Sequence, residues 1–403
     1  MTAPDYSGKI SAPPPSGTMT RNSNSPRVCY VASPQLFSKG AYALHAARMC
    51  EAMDGLGVEF EAVFPGRFDT GGIFEYYGVR PFNLTSLPFT KHAGRQLTHG
   101  AAGAFYALAN KHRFDVVLTL NIICAAILAK TGGLPVVYDA HHPPVGAAGR
   151  ALFHLFQGSE NLAAVSFNSG GLRRIYLEGG LDERKTVVAH NGVETGDFEN
   201  RPAPEEIRKQ LGIPVGRPVV CYCGNTYEGR GIEDLIEIAD GMRDALFLVV
   251  GGRDRDNAPH KRAAERRGVD NFVMKGFVPH SDVPLYLLAS DVLVMPYTDK
   301  ATIRGGTVAT EFTSPMKLFE YMAAGKPIVA ASIPTALEIL EDGENCALAP
   351  PGDRREFARA IRRCVDDKDF ARRIARAARE KAEQYTWKNR AGKILSFTAN
   401  RLK

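Results

Sequence analysis

Short apolar runs alternate along the first half of the chain with longer segments whose apolar residues recur at helical spacing. Strands are predicted at 27–32, 58–64, 114–120, 135–138, 164–167 and 186–189, and helices at 41–53, 93–109, 122–130 and 171–177. Alternation of this kind is typical of a parallel sheet with helices packed on both faces. The first half is therefore predicted to form a doubly wound α/β domain.

The alternation stops at a proline-rich stretch near 195–217 and then begins again. Further strands are predicted at 218–223, 245–250, 272–275, 292–296 and 327–331, and further helices at 232–242, 282–289, 315–324, 353–365, 369–384 and 387–402. A length of 403 residues fits two domains better than one. We expect a disordered tail at 1–26, an N-terminal Rossmann-like domain at 27–200, a linker at 201–216, a C-terminal Rossmann-like domain at 217–385 and a terminal helix at 386–403.

The composition is that of a globular protein, with 44% hydrophobic and 23% charged residues. No stretch reaches the roughly 18 apolar residues that a membrane span needs, and 1–26 lacks the apolar core of a signal peptide. The seven cysteines show no Cys-x-x-Cys or zinc-ligand spacing, which is typical of free thiols in a reducing compartment. We therefore expect a cytoplasmic protein.

The net charge of +6 is concentrated at the C-terminal end of the chain. Residues 353–403 hold 16 lysines and arginines against 7 acidic residues, whereas the rest of the chain has a slight acidic excess. This segment could bind an anionic membrane surface, which would make the protein peripheral on the inner face of the membrane. The alternative is an ordinary solvated helical face. Because aromatic and basic residues do not alternate here in the pattern of a nucleic-acid-binding segment, we expect no nucleic-acid partner.

A glycine-rich loop follows the first predicted strand of the second half and precedes a helix. The loop, 224–231, reads Gly-Asn-Thr-Tyr-Glu-Gly-Arg-Gly and begins at Gly224. Glycines let a ligand approach the backbone, and a helix N-terminus presents N–H groups to anions. Arg230 adds a guanidinium suited to phosphate. Because Arg230 and Gly231 replace the lysine and Ser/Thr of a P-loop, we reject a nucleoside triphosphatase. A plain strand-to-helix turn is the alternative.

The segment 313–327 carries a more specific pattern. Ser314 is predicted to cap a helix that has Pro315 in its first turn. Lys317 also lies in that turn, where the helix dipole disfavours a cation, so its presence implies a bound anion. Glu320 lies on the same helix face, and its carboxylate can accept hydrogen bonds from a diol such as ribose. The alternative interpretation is a surface Lys–Glu pair.

Two segments of the first half are candidates for the opposite side of a ligand crevice. His141 and His142 end a predicted strand, and the carboxyl ends of such strands line the crevice of an open α/β sheet. These histidines could orient hydroxyls, or could be hydrogen-bonded structural residues. A metal site is not expected, because neighbouring residues of an extended chain point in opposite directions. Gly40, in Phe37-Ser38-Lys39-Gly40, opens the first strand-to-helix turn and again permits close approach.

Together these motifs resemble the retaining GT-B glycosyltransferases of the family 4 type (glycosyl transferases group 1). The resemblance is carried by Ser314-Pro315-x-Lys317-x-x-Glu320, by the loop 224–231, by Gly276-Phe277-Val278 and by His190-Asn191-Gly192-Val193. It implies two Rossmann-like doubly wound domains that face each other across a cleft, with a C-terminal helix that crosses back to the N-terminal domain. The implied reaction moves a sugar from a nucleoside-diphosphate sugar to a hydroxyl acceptor with retention of configuration, in polysaccharide or glycolipid synthesis.

The resemblance also implies roles for individual residues. Those implied as catalytic are Arg230, Lys317 and His141, and those implied as donor-binding are Gly40, Gly224, Phe277, Thr313, Ser314, Met316, Leu318 and Glu320. Arg230 and Lys317 match the pair that binds the diphosphate, Glu320 the acid that holds the ribose, and His141 a histidine near the donor sugar. The implied site needs no metal ion and no cofactor besides the donor. Its acceptor would be a sugar, a lipid-linked or a polysaccharide molecule.

One position departs from the family pattern. The first of two family acids should fall at 312, which is Phe312. Either Glu311 substitutes for it, or the chain belongs to the variants in which Thr313 and Ser314 face the sugar. Two other functions therefore stay open: a non-hydrolysing UDP-sugar epimerase, which would act without an acceptor, and a non-catalytic nucleotide-sugar-binding scaffold, which the missing acid would favour.

Overall fold

A computed structural model describes residues 26–38, 40–66, 70–88, 94–144, 146–301 and 309–402. Apart from its last residue, the tail predicted at 1–26 lies outside the described residues, and so does Lys39 of the first strand-to-helix turn.

The first sheet has seven parallel strands in the order β3-β2-β1-β4-β5-β6-β7. These are β1 (Val28–Val31), β2 (Phe60–Pro65), β3 (Leu84–Leu87), β4 (Val116–Thr119), β5 (Val136–Ala140), β6 (Leu162–Phe167) and β7 (Thr186–Val188). The helices that accompany them are α1 (Ala41–Gly55), α2 (Thr70–Tyr77), α3 (Arg95–Ala109), α4 (Ile122–Thr131), α5 (Gly146–Phe156) and α6 (Gly170–Glu178). The strand order reverses between β1 and β4, which opens a crevice at the carboxyl ends of the strands.

The second sheet has six parallel strands in the order β10-β9-β8-β11-β12-β13. These are β8 (Val219–Cys223), β9 (Leu246–Val250), β10 (Phe272–Gly276), β11 (Val292–Met295), β12 (Ile328–Ala331) and β13 (Ala347–Ala349). Its helices are α7 (Pro204–Leu211), α8 (Ile232–Gly241), α9 (Asp254–Arg266), α10 (Val283–Leu288), α11 (Met316–Ala323), α12 (Pro334–Leu337), α13 (Arg354–Asp366) and α14 (Lys368–Ala382). Here the reversal lies between β8 and β11, so the loop after β8 opens onto the crevice.

The last helix, α15 (Trp387–Ala399), returns from the second domain to the first. Its residues Trp387, Ala391 and Ile394 are buried in the same apolar core as β1 and α1. A backbone bridge between Val193 and Thr386 fixes the point where the chain crosses. The two facing Rossmann-like domains and the crossing helix predicted from the sequence are therefore confirmed.

The structure differs from the sequence prediction at strand β3, which was not predicted, and at the predicted linker, whose short helical piece belongs to the second domain. Strand β3 reads Leu-Thr-Ser-Leu and is only half-buried at the edge of its sheet, so it forms no apolar run. The predicted linker 201–216 contains α7, whose Ile207 is fully buried in the core of the second domain. This helix therefore packs as part of the second domain.

The basic C-terminal helices are largely neutralised by acidic neighbours. Arg362 pairs with Asp244 at 2.7 Å, and Lys381 pairs with Glu341 at 2.7 Å. Because these charges are paired within the protein, the C-terminal helices resemble an ordinary solvated helical face more than a basic surface that binds an anionic membrane. Within the described part of the chain, no helix combines the length and the apolar character that a bilayer crossing requires.

Candidate active site

A cleft lies between the two domains beside the first turn of α11. It is lined by Arg48, Glu194 and Trp387 on the side of the first domain, and by His280, Met316 and Glu320 on the side of the second. Arg48 donates to Asp197 at 2.8 Å, which ties α1 to the segment that leaves the first domain. Met316 and Glu320 belong to α11, so the helix that carries Lys317 forms part of the second-domain side of the cleft.

Two cations of the second domain, Arg230 and Lys317, lie against one aromatic ring, that of Tyr297. The Nζ of Lys317 is 3.8 Å from the ring centroid of Tyr222 and 5.2 Å from that of Tyr297. The Cζ of Arg230 is 4.3 Å from the centroid of Tyr297. Because the ring of Tyr297 faces both cations, its π-electrons offset part of their repulsion. Sequence reasoning missed both tyrosines, since each lies in or directly after an apolar strand.

Burial makes this pair of charges costly. It lowers the pKa of the Lys317 amine, and the nearby Arg230 charge lowers it further. Burial acts to raise the pKa of Tyr297, but the charges of Arg230 and Lys317 lower it overall. Among the described residues the Nζ of Lys317 has no acceptor at full hydrogen-bond geometry, and the nearby Tyr297 side chain offsets part of the cost by acting to raise the lysine pKa. A buried cation without an anion costs free energy, so the arrangement is suited to receiving one.

Glycines of the loop 224–231 make room for this arrangement. Gly224 has a φ of +144°, and a Cβ on it would lie 2.3 Å from the Nζ of Lys317. Gly231 begins α8 with a φ of +72°, and a Cβ there would lie 1.8 Å from the carbonyl oxygen of Pro296. The two glycines therefore let the loop pack directly beneath the lysine and against the end of β11.

Of the other predicted residues on α11, Met316 and Glu320 line the cleft, whereas Leu318 is buried inside the protein. Glu320 lines the cleft, with a carboxylate oxygen 3.5 Å from Nε2 of His280. Met316 packs against the apolar cluster of α1, so it brings this turn to the helix that Gly40 precedes. Leu318 is fully buried, and its amide donates to the carbonyl of Pro315 at 3.0 Å. That amide is therefore engaged within the protein.

The prediction that Ser314 caps α11 is wrong. The helix begins at Met316, and Pro315 occupies the cap position. The hydroxyl of Ser314 instead accepts the backbone N–H of Asn191 at 3.2 Å, and its carbonyl accepts the Asn191 side-chain amide at 2.6 Å. The hydroxyl of Thr313 donates to Ala309 at 2.9 Å. Contacts with a chain segment far away in sequence thus outweigh the local preference for a cap.

Phe312 occupies an apolar position between the domains. It is 5% exposed and belongs to the core of the first domain, and its backbone carbonyl accepts the hydroxyl of Ser169 at 2.8 Å. Glu311 beside it is exposed. A Cβ added to Gly171 would lie only 1.7 Å from the backbone carbonyl oxygen of Glu311. The position expected to carry an acid therefore serves as a contact between the domains.

Glu338 strengthens the same contact from the end of α12. Its carboxylate accepts the amides of Gly170 at 2.7 Å and Gly171 at 2.8 Å, at the N-terminus of α6. It also lies 2.8 Å from Nε2 of His190. Burial acts to raise the pKa of Glu338, but these hydrogen bonds lower it overall. Its negative charge also suits the positive end of α6.

The remaining predicted residues lie at the ends of other strands. His141 directly follows β5, and its Nε2 is 3.3 Å from Oδ2 of Asp139. Gly40 precedes α1 in extended backbone. Among the described residues, a Cβ on it would meet only the Ser38 hydroxyl within 4 Å, so close packing against these residues does not require a glycine. Phe277 follows β10 and is 40% exposed. Of the predicted residues, the structure brings Gly224 close to Lys317 and places Arg230 and Lys317 on the same Tyr297 ring.

Two family models match the chain. The one described as Glycosyl transferases group 1 matches residues 204–381, and the one described as Glycosyltransferase Family 4 matches 43–197. A 2-deoxystreptamine glucosyltransferase of Streptomyces kanamyceticus is 30% identical over 288 residues, which is 70% of each chain. A 2-deoxystreptamine N-acetyl-D-glucosaminyltransferase of Streptomyces fradiae is 32% identical over 186 residues, which is 44% of this chain and 41% of the relative.

Solved structures show the same architecture. Anabaena HepE, in a complex with UDP, superposes with a TM-score of 0.71 over 92% of this chain and 98% of its own, at 19% identity. A glycosyltransferase from Rickettsia africae gives a TM-score of 0.72 over 94% of this chain and 99% of its own, at 16% identity. The fold, the two family matches and the Streptomyces relatives agree with one another. The chain belongs to the family 4 glycosyltransferases (glycosyl transferases group 1), which are transferases with the GT-B fold.

Proposed function

We propose that the protein transfers a sugar from a nucleoside-diphosphate sugar to a hydroxyl acceptor with retention of configuration. The observation that carries this proposal is the buried pair Arg230 and Lys317, packed against Tyr222 and Tyr297 beside Gly224. A diphosphate is the ligand that would neutralise two such charges. It is also the leaving group of glycosyl transfer, so these cations lie where negative charge develops.

The other residues of the cleft can be assigned to parts of the donor. Glu320 would accept hydrogen bonds from the ribose hydroxyls, and Phe277 would lie near the base. His141, on the first domain, would contact the sugar. The acceptor would enter from the first-domain side of the cleft. The names of the Streptomyces relatives suggest an aminocyclitol as one acceptor to test, beside the sugar, lipid-linked and polysaccharide acceptors that the family resemblance implies.

The proposed reaction takes place on one face of the sugar. The bond between the sugar C1 and the phosphate oxygen breaks, and its electrons pass to the diphosphate. The acceptor oxygen then bonds to C1 from the same side, and its proton passes to the departing phosphate oxygen. Arg230 and Lys317 bring two positive charges to the leaving group, so we propose that the reaction needs no metal ion. Position 312, where the family pattern has its first acid, carries the apolar Phe312. The proposed reaction therefore assigns no carboxylate of this position to the sugar.

We also propose that the protein works in the cytoplasm. All seven cysteines are buried free thiols, as is typical of proteins in a reducing compartment. A contact with the inner face of the membrane would rest on exposed basic side chains such as Lys388 and Lys393, because many of the neighbouring arginines have acidic partners.

A transfer assay tests this proposal. UDP-, GDP- and ADP-sugars are incubated with 2-deoxystreptamine, with simple glycosides and with lipid-linked sugars, in the presence of a chelator. We expect one donor to yield a product whose anomeric configuration, read by NMR, equals that of the donor. Conversion of a donor without acceptor would indicate an epimerase instead. Tight nucleotide binding without turnover on any acceptor would indicate a scaffold.

A further inference from the structure

A buried ion pair links the crossing helix to the strand that carries His141. Arg390, on α15, donates to both carboxylate oxygens of Asp139, at 2.7 and 2.8 Å. The two side chains are 1% and 0% exposed. The hydroxyl of Ser166 donates to the same carboxylate at 2.6 Å. Both bonds from Arg390 come from its Nη2, so they hold the charged guanidinium against the carboxylate.

Two histidines lie against this carboxylate. The Nε2 of His141 is 3.3 Å from Oδ2 of Asp139, and the Nε2 of His45 is 3.5 Å from the same oxygen. The ring of His45 is 4.4 Å from that of His141 and 5.1 Å from that of Trp387, which lines the cleft. Burial lowers the pKa of His45 to about 3, so this imidazole is neutral. His141 is the more exposed member, with 15% of its side chain accessible.

The ligating atoms of His45, Asp139 and His141 all lie within 4.8 Å of one another, which is close enough for a metal site. The guanidinium of Arg390 already binds both oxygens of Asp139 and neutralises its charge. A divalent cation would therefore face a buried positive charge with no further anion in this cluster. The chemistry of the cluster fits hydrogen-bonded imidazoles rather than metal ligands.

We propose that Arg390 is a positioning residue for His141, acting through Asp139. The arginine holds the carboxylate ionised and oriented, the carboxylate accepts Nε2–H of His141, and Nδ1 is thereby left as an acceptor for a hydroxyl of the donor sugar. The hydrogen bond at one ring nitrogen decides which tautomer the imidazole adopts. Since the sugar contact of His141 belongs to the proposed function, this role deepens that proposal.

The pKa of Asp139 agrees with this role. Burial acts to raise it, but the charge of Arg390 and the contacts of His141 and His45 hold it well below its usual value. The crossing helix therefore does more than cover the first domain. Through Arg390 it sets the state of a side chain of the first domain, beyond an ion pair that spans 251 residues of sequence.

Imidazole ¹⁵N NMR of the full-length protein without ligand tests the positioning directly. The variants are Arg390→Met, Arg390→Met with Asp139→Asn, and Ser396→Ala as a control on the exposed face of the same helix. The His141 signals are assigned by their loss in His141→Gln. We expect the Nε2–H tautomer in the wild type and the control, and a mixture of tautomers in the double variant. An unchanged tautomer in the double variant would refute the proposal, whether or not the protein is a transferase.

Activity separates positioning from stability. Arg390→Met removes the cation that pairs with the buried Asp139 carboxylate, so it should destabilise the protein. The double variant also removes the carboxylate charge, and its melting temperature should return toward that of the wild type. In the double variant we expect kcat to stay on the order of 100-fold below the wild type, with unchanged nucleoside-diphosphate affinity. Arg390→Lys should recover part of the rate. Wild-type kcat in the double variant would mean that the ion pair is only structural, while a wild type without any turnover would count against the proposed function alone.

Discussion

Replacing Lys317 by methionine is expected to stabilise the ligand-free protein and nearly abolish transfer. The Nζ of Lys317 is buried and close to Arg230, with no acceptor at full hydrogen-bond geometry for it among the described residues. Methionine has a similar length and no charge, so the free energy of unfolding should rise by on the order of 1 kcal/mol. The same change removes one of two charges at the leaving group, and kcat/KM should fall by about 1000-fold.

Thermal denaturation and donor turnover, measured on the same preparation, check both parts of this expectation. Lys209→Met, on the exposed face of α7, is the matched control and should change neither quantity. A less stable Lys317→Met protein that keeps its rate would show that the lysine supports the fold and does not bind the diphosphate. The opposite signs of the two effects distinguish a binding role from a structural one.

Gly171→Ala is expected to keep both domains folded and to prevent them from closing. The new Cβ would lie 1.7 Å from the carbonyl oxygen of Glu311, which is backbone of the second domain and cannot yield as a flexible side chain would. Within α6 itself alanine is a better helix former than glycine, by about 1 kcal/mol. The substitution should therefore separate the domains without unfolding the helix, and kcat should fall about 100-fold because the sugar and His141 no longer meet.

The measurement combines small-angle scattering with kinetics and nucleotide binding. We expect a larger radius of gyration and a lower kcat, together with an unchanged affinity for the nucleoside diphosphate, since Arg230 and Lys317 both lie in the second domain. Gly158→Ala is the control, because a Cβ there would meet no atom of the described residues within 4 Å. Wild-type turnover in Gly171→Ala would show that the contact between Gly171 and Glu311 is not needed for catalysis.

The sequence predicts this fold well because both sheets are parallel and buried. Their central strands are apolar runs, and the helices between them have a distinct period. The edge strand β3 lacks that signal, since its four residues include Thr85 and Ser86 and are only half-buried. The packing of α7 on the second domain depends on tertiary contacts of Ile207, which no local pattern reveals.

The sequence predicts a site residue correctly where that residue is unfavourable for the local secondary structure. Lys317 was found because a cation in the first helical turn is unfavourable, and the structure places it over Gly224. Ser314 was misassigned because its partner, Asn191, is 123 residues away. The pairing of Arg390 with Asp139 spans 251 residues, so no spacing rule could indicate it. Contacts between distant segments supply the parts of the site that motifs do not.

Calorimetric titration of the wild-type protein with nucleoside mono- and diphosphates, with and without a chelator, tests the central claim most directly. If Arg230 and Lys317 bind the second phosphate, one diphosphate among UDP, GDP and ADP should bind about 100-fold more tightly than its monophosphate, which corresponds to about 2.7 kcal/mol. Equal affinities for the mono- and diphosphate, or binding that disappears with the chelator, would contradict the assignment of these two cations to the leaving group.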